Sequence, residues 1–254
     1  MPFTLSHPAA VLPLLRGLRA RGPLVASGLV AGSMAPDLPF FADSWLPGVY
    51  RHGGLTHRWW AVATVDVALA GGLAAGWQLA LRRPVLDLLP DPWAQAALTA
   101  TARREHGPDL AAFALSAAIG AATHVGWDSF THQGRAGVRL LPVLNRRIGP
   151  LPLYTALQYG SSAVALGYLV RYTAKELRPG PAEAPAATPS TPRARERRQG
   201  RAVVGLGALL GAGHRITRST GRRGLIGDLC FGAGAGAVAG ALLLAARDRW
   251  RPGP

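Results

Sequence analysis

Four stretches of this chain run for about twenty residues with almost no ionisable side chain, and this distribution of charge limits what it can fold into. Residues 59–81 hold one acid, Asp66, and residues 110–130 hold only His124 and Asp128. Residues 153–170 hold no charge, and residues 225–246 hold only Asp228. As a helix, each is long enough to cross ~30 Å of hydrocarbon. Residues 23–42 form a weaker fifth candidate, broken near Pro36. The expected fold is all-α, a polytopic membrane helical bundle of about five to six hydrophobic segments in a bacterial inner membrane.

The net charge of +15 raises the question of nucleic acid. Lys175 is the only lysine, so the basicity is nearly all arginine, beside abundant Ala, Gly and Pro, as a GC-rich bacterial genome would encode. The arginines cluster between the apolar runs, the usual pattern of membrane topology. The sharpest basic run, Arg193 to Arg198, lacks interleaved aromatics and suits anionic lipid headgroups better than bases. Membrane lipid is therefore an expected partner and nucleic acid is not. The single cysteine, Cys230, lies in an apolar run and reads as a small filler. The N-terminus lacks the basic start and small-residue cleavage site of a signal peptide, so no removable leader is expected.

Loops bearing Arg82, Arg83, Arg103 and Arg104, and later Arg171, Lys175 and Arg178, are separated by two spans and fall on the cytoplasmic side by the positive-inside rule. Three regions follow. Residues 1–178 form a membrane module, residues 179–200 a disordered Pro/Ala/Arg-rich linker, and residues 201–254 a C-terminal Gly-rich span. Gly232, Gly236 and Gly240 recur every four residues, as do the pairs Gly28/Gly32 and Gly72/Gly76. Such stripes let helices approach closely and leave an oligomer open.

Within the third run, His124, Asp128 and His132 recur at steps of four and share one helix face. Imidazole and carboxylate at this spacing let one helix offer two ligands to a metal. Ionisable groups in lipid are costly and usually functional. Other candidates converge on the same membrane face. Asp37 is flanked by Pro36 and Pro39, and His57 follows a Gly-bearing turn that also holds His52. His7 joins them if residues 5–18 form a short helix capped by Thr4 or Ser6. Two carboxylates and neutral imidazoles suit a divalent metal, Zn²⁺ first, with Mn²⁺ or Fe²⁺ as alternatives. Thr56, Ser129 and Thr131 are candidates to orient ligands, and Arg58 to hold an anionic substrate. Asp66 lies two turns into its run, apart from this group.

The opening PFTLSHPAA, the GSMAPDLPF segment, the GLTHRWW turn and the HVGWDSFTH helix resemble an uncharacterised bacterial membrane-protein family of unknown function. That family is similar in pattern to YdjM-type inner-membrane metal-dependent hydrolases. The motif order more remotely resembles the all-helical zinc-dependent phospholipases C. The resemblance covers roughly residues 1–135 and implies His7, Asp37, His57, His124 and Asp128 as metal ligands, with His132 or His52 as further candidates. Beyond His132 no second His-x3-Glu pair follows, so one or two ions are as many as these residues support.

The function this implies is a membrane-embedded metal-dependent hydrolase acting on an ester or phosphoester, with Asp128 and Arg58 as the catalytic candidates and a lipid-linked substrate. The alternatives are an ion-binding or transport protein using Asp66, Asp128 and Asp228, and a non-catalytic membrane scaffold.

Overall fold

The computed structural model describes residues 3–102, 109–178, 194–218 and 224–250. The helices are α1 (Ala26–Met34), α2 (Leu38–Ala42), α3 (Gly53–Thr56), α4 (Val65–Gly76), α5 (Arg82–Leu86), α6 (Asp91–Ala100), α7 (Leu110–Thr131), α8 (Ala136–Leu140), α9 (Leu153–Glu176), α10 (Ala194–Arg218) and α11 (Leu225–Trp250). Among the described residues, sheet is confined to two short antiparallel pairs, β1 (Leu15–Arg16) with β2 (Arg19–Ala20), and β3 (Arg147–Ile148) with β4 (Leu151–Pro152). The helical class follows the sequence reading.

The number of spans does not. Among the described residues, only α7 and α11 are long and apolar enough to cross a membrane. Run 23–42 yields the nine-residue α1 followed by a 3-10 turn at Ala35–Asp37, where Pro36 interrupts the ladder. Run 59–81 breaks into a 3-10 turn at Ala61–Ala63, the twelve-residue α4 and a π turn at Trp77–Leu81. Run 153–170 lies in the 24-residue α9, which is long enough but interleaves Gln158, Ser161 and Ser162 with its apolar residues. Two candidate spans among the described residues therefore replace the expected five to six. Only 33% of the apolar window of α7 and 39% of that of α11 is buried, unlike the core helix of a soluble domain.

The chain divides into two compact units. The first comprises Met1–Pro39, Arg51–Ala74 and Glu105–Glu176. Its N-terminal segment, Thr4–Leu14, is an 11-residue 3-10 helix, long for a form that seldom exceeds four residues. Pro8 and Pro13 lack the N–H that an α-helical ladder would use there. Neither Thr4 nor Ser6 caps it. Val11, Leu12 and Leu15 pack with Leu29 of α1, and partly buried Ile119, Leu169 and Tyr172 close over them. The backbones of α1 and α7 approach closely, since a Cβ at Gly32 would lie 2.1 Å from Ala117 O and one at Gly120 would lie 2.3 Å from Leu29 O. Alanine at either position would drive the helices apart.

The second unit comprises Phe40–Tyr50, Ala75–Arg104 and Leu177–Pro254. It begins its last segment at Leu177, beside the expected break at residue 178, and also takes Phe40–Tyr50 and Ala75–Arg104 from the region expected to form the N-terminal module. Of the expected linker, residues 179–193 lie outside the described residues. Residues 194–200 are instead the start of α10, where arginines are good helix formers and Glu196 suits the positive end of the helix dipole. The Gly stripe of α11 is used within the chain. A Cβ at Gly236 would lie 2.0 Å from Gly207 O, and one at Gly232 would lie 2.5 Å from Gly211 O. These pairings run in opposite directions along the sequence, so α10 and α11 form an antiparallel pair. By contrast, Gly72 and Gly76 meet nothing within 4 Å. Arg215 is buried and donates to Asp228 Oδ1 (3.1 Å), Phe40 O (2.8 Å) and Ser44 Oγ (3.1 Å).

Candidate metal centre

Four separate segments of the first unit bring buried imidazoles and carboxylates together. α7 is capped by the Asp109 carboxylate, which accepts from Ala111 N, and its last two turns present His124 and Asp128 on one face. The 3-10 turn after α1 presents Asp37, the end of α3 presents His57, and the N-terminal 3-10 helix presents His7. All five are buried, with His7, Asp37 and His124 fully enclosed.

Hydrogen bonds orient the two central imidazoles. His124 Nδ1 donates to Ser33 O at 2.7 Å, and His57 Nδ1 donates to Gly53 O at 2.7 Å. A carbonyl can only accept, so each Nδ1 carries the proton and each Nε2 turns inward. These two Nε2 atoms lie 3.3 Å apart. Around them stand Asp37 Oδ1, 3.5 Å from His57 Nε2 and 3.6 Å from His124 Nε2, and Asp128 Oδ2, at 3.2 and 3.7 Å. The four atoms thus mark five edges of a tetrahedron. Ligands held ~2.0–2.2 Å from a tetrahedral Zn²⁺ lie about 3.3–3.6 Å from one another, close to the spacing here.

His7 extends the cluster. Its ring stacks on His124 with centroids 3.6 Å apart, and its Nε2 lies 3.6 Å from Asp128 Oδ1. His7, Asp37 and His124 form one metal-compatible group, and His57, His124 and Asp128 another, so His124 is common to both. Among the described residues, both nitrogens of His7, Asp37 Oδ1 and Asp128 Oδ1 are buried without a hydrogen-bond partner. Such orphaned atoms are costly unless something binds them. The donor set fits a divalent cation.

The electrostatics also call for positive charge at the centre. Burial alone would lower the pKa of His57, but hydrogen bonds to Asp128 and Asp37, and the charges of those groups, outweigh it and raise the imidazole to about 9. Burial, aided by His124, lowers His7 to about 3 and keeps it neutral. Burial pushes the Asp37 carboxyl up, yet the charge and hydrogen bond of His124, with those of His57, hold it well below the usual carboxylate range. A metal-free site therefore holds a proton on His57 between two carboxylates.

His132 sits at the edge, just past α7. Its Nδ1 lies 3.1 Å from Asp128 O and 3.6 Å from Asp128 Oδ1, its Nε2 has no hydrogen-bond partner, and 18% of the side chain is exposed. Burial lowers it to about 4. His52 is exposed and bonded to Arg51. Arg58 is exposed too, with no hydrogen bond or ion pair tying it to the cluster among the described residues. Of the expected orienting hydroxyls, Thr56 donates to Pro36 O at 2.6 Å and so ties the His57 turn to the Asp37 turn. Thr131 donates to Trp127 O and lies 3.2 Å from His132 Nδ1. Among the described residues, Ser129 bonds only within α7, to Val125 O.

Three placements escape a reading of the sequence. Thr4 donates to Asp37 Oδ2, leaving Oδ1 to face the imidazoles. Arg135 donates from Nη1 to His57 O at 3.4 Å. Asp66 is fully buried, and among the described residues neither of its carboxyl oxygens is hydrogen-bonded. Burial raises its pKa to about 6 against the pull of His57 and His124, so it lies within electrostatic reach of the cluster rather than remote from it. The periodicity of 124, 128 and 132 was visible, whereas the pairing of residue 4 with residue 37 depends on tertiary contact.

No curated protein and no solved structure matches the chain. A family profile covers nearly all of it, residues 1–246, and so the chain belongs to the DUF4184 family, a domain of unknown function.

Proposed function

We propose that this protein is a metal-dependent hydrolase, acting on an ester or phosphoester bond at the surface of a bacterial inner membrane. The observation that carries the reading is the set of four inward-facing donors, His57 Nε2, His124 Nε2, Asp37 Oδ1 and Asp128 Oδ2, at 3.2–3.7 Å from one another along five edges. Zn²⁺ is the first choice, with Mn²⁺ or Fe²⁺ as alternatives for a mixed nitrogen and oxygen set.

Each residue has a physical role in this reading. Asp37 and Asp128 supply two negative charges, and His57 and His124 supply lone pairs. Thr4, Ser33 O and Gly53 O hold three of these donors in orientation, as partners behind metal ligands generally do. His7 and His132 offer further nitrogens towards Asp128. When bound, the ion would activate water for attack and offset the charge that develops on the substrate. The similarity in motif order to YdjM-type hydrolases and zinc-dependent phospholipases C supports the same chemistry.

Membrane attachment rests on α7 and α11, both mostly unburied along their apolar windows. The cluster occupies the last two turns of α7, one end of a candidate span. Trp59 and Trp60, just after His57, are exposed, as rings at a lipid–water boundary are. A lipid-linked substrate suits that location. The ion-path alternative loses Asp228, which bonds Arg215.

A structural ion is the second reading, favoured by the near-complete burial of all four donors. Detergent-purified protein should retain one or two transition-metal ions and hydrolyse an ester or phosphodiester, with both properties lost in a His124→Ala/Asp128→Ala variant. Retained metal with no hydrolysis of any such substrate favours the structural ion. Absence of metal from the wild type overturns both.

A further inference from the structure

The loop leaving α7 turns back on the cluster. Gly134 has a positive φ of 72°, and Arg135 N donates to His132 O at 3.2 Å. The turn returns the Arg135 side chain to the site, where Nη1 meets His57 O at 3.4 Å. The guanidinium's charge also reaches the His132 imidazole. Arg135 is partly exposed, and among the described residues no carboxylate pairs with it. A guanidinium has five N–H donors, and among the described residues its one hydrogen bond is long and goes to a neutral carbonyl.

Charge arithmetic makes this placement informative. Asp37 and Asp128 neutralise a divalent cation, and the imidazoles add no charge when they act as ligands. Counting the ligand set and this guanidinium alone, one positive charge is left over on the Arg135 side. Next to the most exposed histidine of the cluster, His132, it is suited to a singly charged anion. Arginine is the side chain whose fork matches the non-bridging oxygens of a phosphate.

We propose that Arg135, rather than Arg58, holds a non-bridging oxygen of the substrate, and that the substrate class is a phosphodiester monoanion. This rests on the metal-dependent reading above and narrows it. The phosphate could belong to a lipid headgroup or to a soluble diester, which share the recognised group.

The test compares wild type, Arg135→Gln and Arg135→Lys, each with metal content measured on the same sample. Inorganic phosphate is titrated into metal-loaded protein by calorimetry. Turnover is measured on bis(p-nitrophenyl) phosphate, on phosphatidylglycerol in mixed micelles and on the neutral p-nitrophenyl acetate. The expected result is unchanged metal content, phosphate affinity weakened by about tenfold or more in Arg135→Gln, and partial recovery in Arg135→Lys. KM for a diester should rise by a similar factor with kcat little changed, and the neutral ester should be unaffected. Faster turnover of the micellar diester identifies the lipid source, and faster turnover of the soluble one the other. Phosphate affinity indifferent to Arg135→Gln in metal-loaded protein overturns this inference alone, as does loss of metal in that variant. Wild-type protein that binds no metal overturns it together with the reading it rests on.

Discussion

The Nε2 atoms of His57 and His124 face each other across 3.3 Å, while Nδ1 of each donates to a backbone carbonyl. Two neutral imidazoles held this way oppose lone pair to lone pair, which is repulsive unless a proton or cation lies between them. Both rings are fixed from behind by main chain, so neither can turn away.

Metal removal should therefore cost stability. At a free metal concentration 100 times Kd, binding stabilises the folded state by about 2.7 kcal/mol. Thermal unfolding of detergent-solubilised protein should show this gain for wild type and its loss in His124→Ala. Equal unfolding temperatures with metal and with chelator would contradict the proposal.

Metal loading should release a proton. His57 titrates near 9 in the metal-free site, so at pH 7 it is protonated and must lose that proton to become a ligand. Calorimetry at pH 7 in buffers of different ionisation enthalpy should report at least one proton released. Affinity should rise by up to about tenfold per pH unit towards 9 and then flatten. Because the folded pKa lies above the unfolded value of 6.5, protonated His57 stabilises the metal-free protein fully below pH 6.5, and that contribution fades as pH rises through about 9. Metal-free protein should lose stability across this window, and His57→Gln should not.

Thr4→Val should weaken metal binding while leaving the fold intact. The Thr4 hydroxyl occupies Asp37 Oδ2 and so aims Oδ1 at the imidazoles. Loss of such a supporting bond typically costs about 10- to 100-fold in metal affinity. Competition with a chromophoric chelator measures it.

Much of this centre was legible in the sequence, for identifiable reasons. His124 and Asp128 declare themselves by helical spacing in an apolar run, and Asp37 by its flanking prolines. Arg135 was hidden because its approach depends on the left-handed turn at Gly134. Arg58 stood nearer in sequence to a candidate ligand, yet its side chain is exposed. The span count was overestimated because run length says nothing of internal breaks such as Pro36 and the π turn at Trp77–Leu81. The start of α10 reads as linker because its first two turns are charged, yet Arg197 bonds Asp91 and Arg201 bonds Leu88 O.

Asp66→Asn should stabilise the protein at pH 8 and make little difference at pH 4. The buried carboxyl has a folded pKa raised to about 6, so its ionisation opposes folding as pH climbs from 3.8 through 6. An uncharged side chain of the same shape removes that penalty. Melting temperatures of the two proteins across this range test it.

In the second unit, glycine substitutions should split by sign. Gly236→Ala places a methyl 2.0 Å from Gly207 O and should destabilise the α10–α11 pair by about 1–3 kcal/mol. Gly205→Ala, in α10, meets nothing within 4 Å and should stabilise by about 0.5–1 kcal/mol. Denaturation of both variants reads the difference.

The missing methyl groups at Gly32 and Gly120 have an effect beyond packing. They set the gauge between two helices, one leading to Asp37 and carrying Ser33, the other carrying His124 and Asp128. Spreading those rods by even half a bond length would stretch several donor-to-donor distances together, favouring a larger, oxygen-seeking ion over zinc. Under the metal-dependent reading proposed above, size discrimination would thus be set partly by residues that have no side chain to offer the ion.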